Sequence, residues 1–274
     1  MAWSKIKTII IVILLILNLF LLCLVSFLQI RSARYEASAL TETIAILARN
    51  GIQTEKGVLP STLARASCSL TRDTEREAQV ASLLLGDDTA FSSSGGLHLY
   101  TSEAGSANFR SNGEFSVTLS LSSAGYDSYR DHAEHLLQTL GVESWYLTQT
   151  GNTVTATQCL DGMPVFSSTG IVFSYQEDGT LATILGRIFL GKIAADSELP
   201  DAISVSTALL AFLDYAVENG DVCRSIDGMV PGYLIAALSD PIRLTPVWVI
   251  TTDTADYYLD PATGEVTRLT QAAA

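Results

Sequence analysis

Few side chains in this chain have the types and spacing that chemistry needs. His132 and His135 lie three apart on a predicted helix, beside Asp131 and Glu134. Residues at that spacing share a helix face and could share a metal. No further Cys/His pattern accompanies them, so the pair reads as a solvated helix face with one histidine at its edge. His98 reads as a strand residue. Of the four cysteines, Cys23 falls in the apolar stretch near the amino terminus, and the three beyond it, Cys68, Cys159 and Cys223, are widely and irregularly spaced; an odd number there leaves one thiol unpaired within a monomer, and buried thiols are expected over a bridge. There is no G-x-S-x-G, H-E-x-x-H or glycine fingerprint. Ser92-Ser93-Ser94-Gly95-Gly96 lacks the Lys-Ser/Thr of a phosphate loop and reads as a flexible turn. The acidic residues are scattered, and no catalytic, cofactor-binding or metal-binding residue can be nominated. The expectation is a protein without enzymatic activity and without a cofactor.

Charge excludes further classes. The chain carries 29 Asp and Glu against 16 Lys and Arg. All the acids and 14 of the bases lie after residue 30, so the 244 residues from Arg31 onward sum to 14 − 29 = −15. Nucleic acid and anionic lipid headgroups both demand clustered Lys and Arg, and this composition argues against either as a ligand.

The stretch Thr8–Ile30 carries no charged side chain over 23 positions. As a helix it would cover roughly 34 Å, enough for a hydrocarbon core of about 30 Å. It is too long for a signal peptide, and Gln29 to Arg34 is a poor cleavage context. The expectation is therefore a single-pass transmembrane helix over 8–30 behind a tail at 1–7, with the lipid bilayer as a partner. Trp3, Lys5, Lys7, Arg31, Arg34 and Tyr35 would be its interfacial anchors. Lysines before the helix nearly balance arginines after it, so charge leaves its orientation open. Ile11, Asn18, Val25 and Gln29 fall on one stripe, a candidate contact with a partner helix; alternatively Asn18 bonds its own backbone and Gln29 snorkels.

The opening Met1-Ala2-Trp3-Ser4-Lys5-Ile6-Lys7-Thr8-Ile9, running on to Leu17-Asn18-Leu19-Phe20, resembles the amino terminus of the YycI branch of the YycH/YycI regulators. Ala2 departs from the family, which usually has an acidic residue there. The resemblance implies localisation at the cell membrane with a cytoplasmic amino terminus and an extracytoplasmic body. It also implies a YycH-like partner, and restraint of a cell-wall sensor histidine kinase of the WalK/YycG type through transmembrane-helix contacts.

The elements beyond the apolar stretch follow from periodicity and punctuation. Residues 31–53 keep helical spacing through Tyr35, Leu40, Ile44, Leu47 and Ile52, as a stalk or as the first helix of the body. A helix is predicted over Thr74–Leu85, then strands at 97–101 and 114–121. Ser128-x-x-Asp131 is a capping-box candidate for a helix with Tyr129, Ala133, Leu136, Leu137 and Leu140 on one face. Strand pairs at 144–150/153–160 and 172–176/181–188 follow. The order repeats with a helix that Ser204 or Ser206 can cap and that ends at Gly220, then strands at 221–227, 232–238, 246–252, 256–259 and 265–269. The run Tyr257 to Val266 resembles the closing strands of PepSY-type modules, a helix laid on an antiparallel sheet. The expected fold class is α+β: one N-terminal transmembrane helix and two related helix-on-antiparallel-sheet units, a first domain over 54–195 and a second, PepSY-like one over 196–274.

The function these features imply is a non-enzymatic, extracytoplasmic regulator of the sensor kinase. The alternative is a membrane-anchored module that binds peptides, proteases or cell-wall fragments, by strand addition for example.

Overall fold

A computed structural model of the chain describes residues 2–166, 170–196, 199 and 201–269; within the first helix, the side chains of 2–12, 26, 28–30, 32 and 33 lie outside that description. The elements in order are α1 (Ala2–Arg49), β1 (Gln53–Thr54), a 3-10 turn at Lys56–Val58, β2 (Cys68–Thr71), α2 (Thr74–Leu85), β3 (Ala90–Ser94), β4 (Leu97–Ser102), β5 (Gly105–Arg110) and β6 (Glu114–Ser122). Then come α3 (Tyr129–Thr139), β7 (Ser144–Thr150), β8 (Thr153–Leu160), β9 (Met163–Phe166), β10 (Ile171–Tyr175), β11 (Thr180–Arg187) and β12 (Lys192–Ala195). The chain closes with α4 (Val205–Asn219), β13 (Ser225–Ala237), β14 (Ile242–Thr252), β15 (Asp256–Leu259) and β16 (Val266–Arg268).

Local chemistry sets the helix ends. Asp73, Ser128 and Ser204 each accept a hydrogen bond from the backbone N–H three residues on, at 3.1 Å, and so start α2, α3 and α4. Gly220 ends α4 in the left-handed conformation, φ 67°, which costs a glycine nothing. Gly151 and Asn152 turn β7 into β8 as the two-residue hairpin that their types specify.

The strands join into one sixteen-stranded sheet whose main path runs β12-β2-β14-β13-β9-β8-β10-β11-β6-β5-β4-β3. This overturns the expectation of two related helix-on-antiparallel-sheet units. Strand β13 pairs in parallel with both β1 and β9, which makes the sheet mixed. The tight turn at Asp161-Gly162 pairs β8 with β9 and hydrogen-bonds the two halves into one path. Segments far apart in sequence share the carboxy-terminal half: β2 pairs with β12 and β14.

Each half buries one face under helices. Against β4–β8, β10 and β11, α2 supplies Val80, Ala81, Leu84 and Leu85 and α3 supplies Ala133, Leu136, Leu137 and Leu140. Against β13–β16, α4 supplies Ala208, Leu209, Phe212 and Leu213, joined by Leu47, Ile52 and Leu63. A smaller cluster around Leu70, Phe189, Tyr233 and Leu244 seals the junction.

The single-pass expectation is corrected as well. Among the described residues, no helix is long and apolar enough to cross a membrane. The membrane localisation and the two-sided topology are corrected with it.

Candidate functional site

Among the described residues, α1 joins an exposed apolar stretch to a buried seat in the body. At its carboxy-terminal end the helix is anchored: Thr43 and Leu47 are buried, Leu47 completely, in the cluster that holds Leu209 and Phe212 of α4. Asn50 and Gly51 close it, Ile52 packs beneath, and β1 then pairs with β13. Trp248 on β14 donates its indole N–H to the Leu63 carbonyl at 3.0 Å and pins the intervening loop to the sheet. Beside this seat, Glu36, Leu40, Lys56, Leu59, Ile203 and Ser204 are among the residues lining a cavity of about 450 Å³. It lies between α1, the loop after the 3-10 turn and the start of α4. Its size falls in the range of small-ligand clefts. Sequence reasoning missed it, because its walls come from three separated segments.

Upstream, α1 is exposed. Every side chain from Ile13 to Val25 faces solvent, including Ile13, Leu17, Phe20 and Leu22 at half exposure or more. A helix that is apolar on all sides calls for apolar cover. Of the candidate stripe, Asn18 and Val25 are described and exposed, whereas the side chains of Ile11 and Gln29 lie outside the described residues. The Asn18 amide donates to the Leu14 carbonyl at 3.0 Å; the bond uses one of its two N–H donors. Leu14, Asn18, Leu21 and Val25 follow one another at spacings of four, three and four, the rhythm of a coiled-coil seam. Trp3, Lys5 and Lys7 also have side chains outside the described residues. Arg31 and Tyr35 engage each other, by a 3.2 Å hydrogen bond and with the guanidinium 5.5 Å from the ring centre; Arg34 is exposed.

The other candidates are taken up by the fold. His132 is buried and its Nδ1 is 3.0 Å from the Tyr175 hydroxyl, which donates to the Tyr129 carbonyl. Burial, with His135 nearby, pushes the His132 imidazole below its usual pKa, and burial pushes the Tyr175 phenol well above its own. Among the described residues no group of three or more His, Cys, Asp or Glu could hold a metal. His98 Nδ1 sits 2.8 Å from Glu77, which also takes Arg72 in a two-pronged pair at 2.6 and 2.9 Å. Cys68, Cys159 and Cys223 are free and buried, and burial raises each thiol pKa; Cys23 is exposed. A buried thiol with a raised pKa is a poor nucleophile.

No protein-family model matches the chain, and no curated protein matches it. Among solved structures, it is similar to an uncharacterized protein from Eubacterium rectale ATCC 33656. That match has 12% identity and a TM-score of 0.47, and covers 76% of this chain and 87% of the other.

Proposed function

We propose that the chain is a non-enzymatic regulatory protein that acts by holding another protein through α1. One observation carries this reading: a single unbroken helix joins an exposed apolar stretch, Ile13–Val25, to a fully buried residue, Leu47, at the core of the body. A partner helix laid along Leu14, Asn18, Leu21 and Val25 would cover apolar surface for about 1.5–3 kcal/mol per fully buried side chain. One Asn within such a seam selects register and partner at some cost in stability. The body then supplies a rigid load at the far end of the helix. A regulator bound differently in two states of its target shifts their ratio by that difference in affinity and no further. About 5.5 kcal/mol would carry it from one extreme to the other.

The target is a sensor histidine kinase of the WalK/YycG type, acting with a YycH-like protein; the likeness of residues 1–21 to YycI regulators supports this choice. A photo-crosslinker placed at residue 18 or 25 of the full chain should capture the kinase or the YycH-like protein. Asn18→Leu, made to normal levels, should restrain kinase autophosphorylation less than the wild type does. Capture of neither protein, or full restraint by Asn18→Leu, refutes the reading.

A further inference from the structure

Two arginines of the body are withdrawn from water to the same degree and are treated very differently. Arg72, with 12% of its side chain exposed, gives two bonds to the Glu77 carboxylate and one each to the Gly96 and Phe109 carbonyls. Arg187 on β11 has 14% of its side chain exposed, and its Nε is buried without a hydrogen-bond partner. Its ion pair, Nη2 to Glu114 at 3.5 Å, is longer than the roughly 2.7–2.9 Å of a charge-assisted hydrogen bond. Glu114 is itself half-exposed and also lies 3.9 Å from Arg110, so water and a second cation share its charge. A buried polar group left bare in this way asks for a partner that is not part of the fold.

The place for such a partner is beside it. Arg187 lines a cavity of about 360 Å³ whose other walls are Phe166 at the end of β9 and the run Leu234–Leu238 of β13. Strand register sets Phe166 against Leu234, and the Phe166 ring is held 5.5 Å from that of Tyr258. Apart from Arg187, every lining side chain is apolar.

We propose that this cavity binds a small monocarboxylate with an apolar body, its carboxylate on the Arg187 guanidinium and its body against Phe166, Leu234 and Leu238. The planar fork of an arginine matches the two oxygens of a carboxylate through parallel N–H···O bonds, which is the partnership Arg72 already has and Arg187 lacks. An inorganic oxyanion would satisfy the fork but leave the apolar walls uncovered. The volume stands at the small end of ligand clefts, about 300–1,000 Å³, which suits a ring or a short chain. In a chain of formal charge −13 the long-range field repels an anion, so recognition rests on the contact itself. No lining residue belongs to α1, and the inference is independent of the regulatory reading.

Calorimetric titration of the full chain with phenylacetate tests it, with phenylacetamide and inorganic phosphate as comparisons. The acid should bind, and the amide and phosphate should each bind at least about tenfold more weakly, as expected for loss of a bidentate charged bond or of the apolar contact. Arg187→Met should bring the acid down to the level of the amide while leaving the urea midpoint of the free protein unchanged or raised, because it removes a buried charge that the fold does not answer. Ala236→Glu, at an exposed position on the cavity wall, should weaken the acid by about tenfold or more at an unchanged midpoint, since it sets a like charge beside the ligand. Three results overturn the proposal: no binding of the acid by the wild type, amide or phosphate bound as tightly as the acid, or an Arg187→Met variant that loses stability and keeps the wild-type affinity. The last would make Arg187 a structural partner of Glu114.

Discussion

His132 and Tyr175 form a buried pair, imidazole Nδ1 to phenol oxygen at 3.0 Å, with the Tyr129 ring stacked on Tyr175 at a 4.3 Å centroid separation. The pair bridges α3 to β10, so the histidine serves packing and not metal binding. His132 protonates less readily folded than unfolded, because burial and the neighbouring His135 disfavour its charge. The unfolded chain therefore binds more protons below the ordinary histidine value of about 6.5, and stability falls as pH drops through that value toward the lower folded one. Urea midpoints measured from pH 7.5 to 5 should decline in the wild type. His132→Gln should flatten part of that decline while lowering stability at pH 7.5. An unchanged pH profile in the variant would remove His132 as its source.

Glu77 is 5% exposed and accepts from Arg72 and pairs with His98, while the same arginine also donates to the Gly96 and Phe109 carbonyls. This ties α2 to β2, β4 and β5. Glu77→Ala leaves a largely buried guanidinium without its counter-charge and should cost about 3–5 kcal/mol. Lys192 and Asp73, 3.8 Å apart with the lysine 85% exposed, offer the contrast. Lys192→Ala should cost well under about 1 kcal/mol. Urea unfolding of both variants at pH 7.5 checks the difference.

What the sequence made legible was whatever short-range chemistry decides. The predicted helix Thr74–Leu85 coincides with α2, and Ser128, Ser204 and Gly220 sit at helix ends because caps act over three or four residues. Long-range pairing was not legible. Ser92–Ser94 reads as a turn, yet forms β3, because β4 supplies the ladder that a serine run does not advertise. Two strands were expected over 221–238, yet Ser225–Ala237 is continuous through Pro231. That proline is tolerated because β1 pairs at 225–226 and β9 at 233–234, so neither reaches it on that side. The cavity beside Arg187 joins residues 166, 187 and 234, which only strand pairing brings together. The 450 Å³ cavity likewise joins residues 36, 56 and 203, which no window contains.

Cysteine accessibility gives a direct check on the packing. Cys68, Cys159 and Cys223 are buried with raised thiol pKa values, and Cys23 lies on the exposed part of α1. Thiol titration of the native chain at pH 8 should count one fast-reacting group, and four after denaturation. Cys23→Ser should abolish the fast reaction. A second fast thiol in the native protein would mean that one of the three interior sites opens readily.

The join between α1 and the body makes the last prediction. Leu47 is fully buried among α4 residues, so Leu47→Ala should open a cavity and cost about 2–5 kcal/mol. Asn18 is 29 residues upstream on exposed helix, and Asn18→Leu should leave the urea midpoint within about 0.5 kcal/mol. The two variants separate the roles proposed for the helix. Leu47→Ala should weaken control of the partner by loosening the load while leaving crosslinking from residue 18 intact. Asn18→Leu should alter the contact and spare the body. If Leu47→Ala destabilised the fold as expected yet left partner control at the wild-type level, α1 would act as a free-standing segment, and its continuity into the core would have no part in regulation.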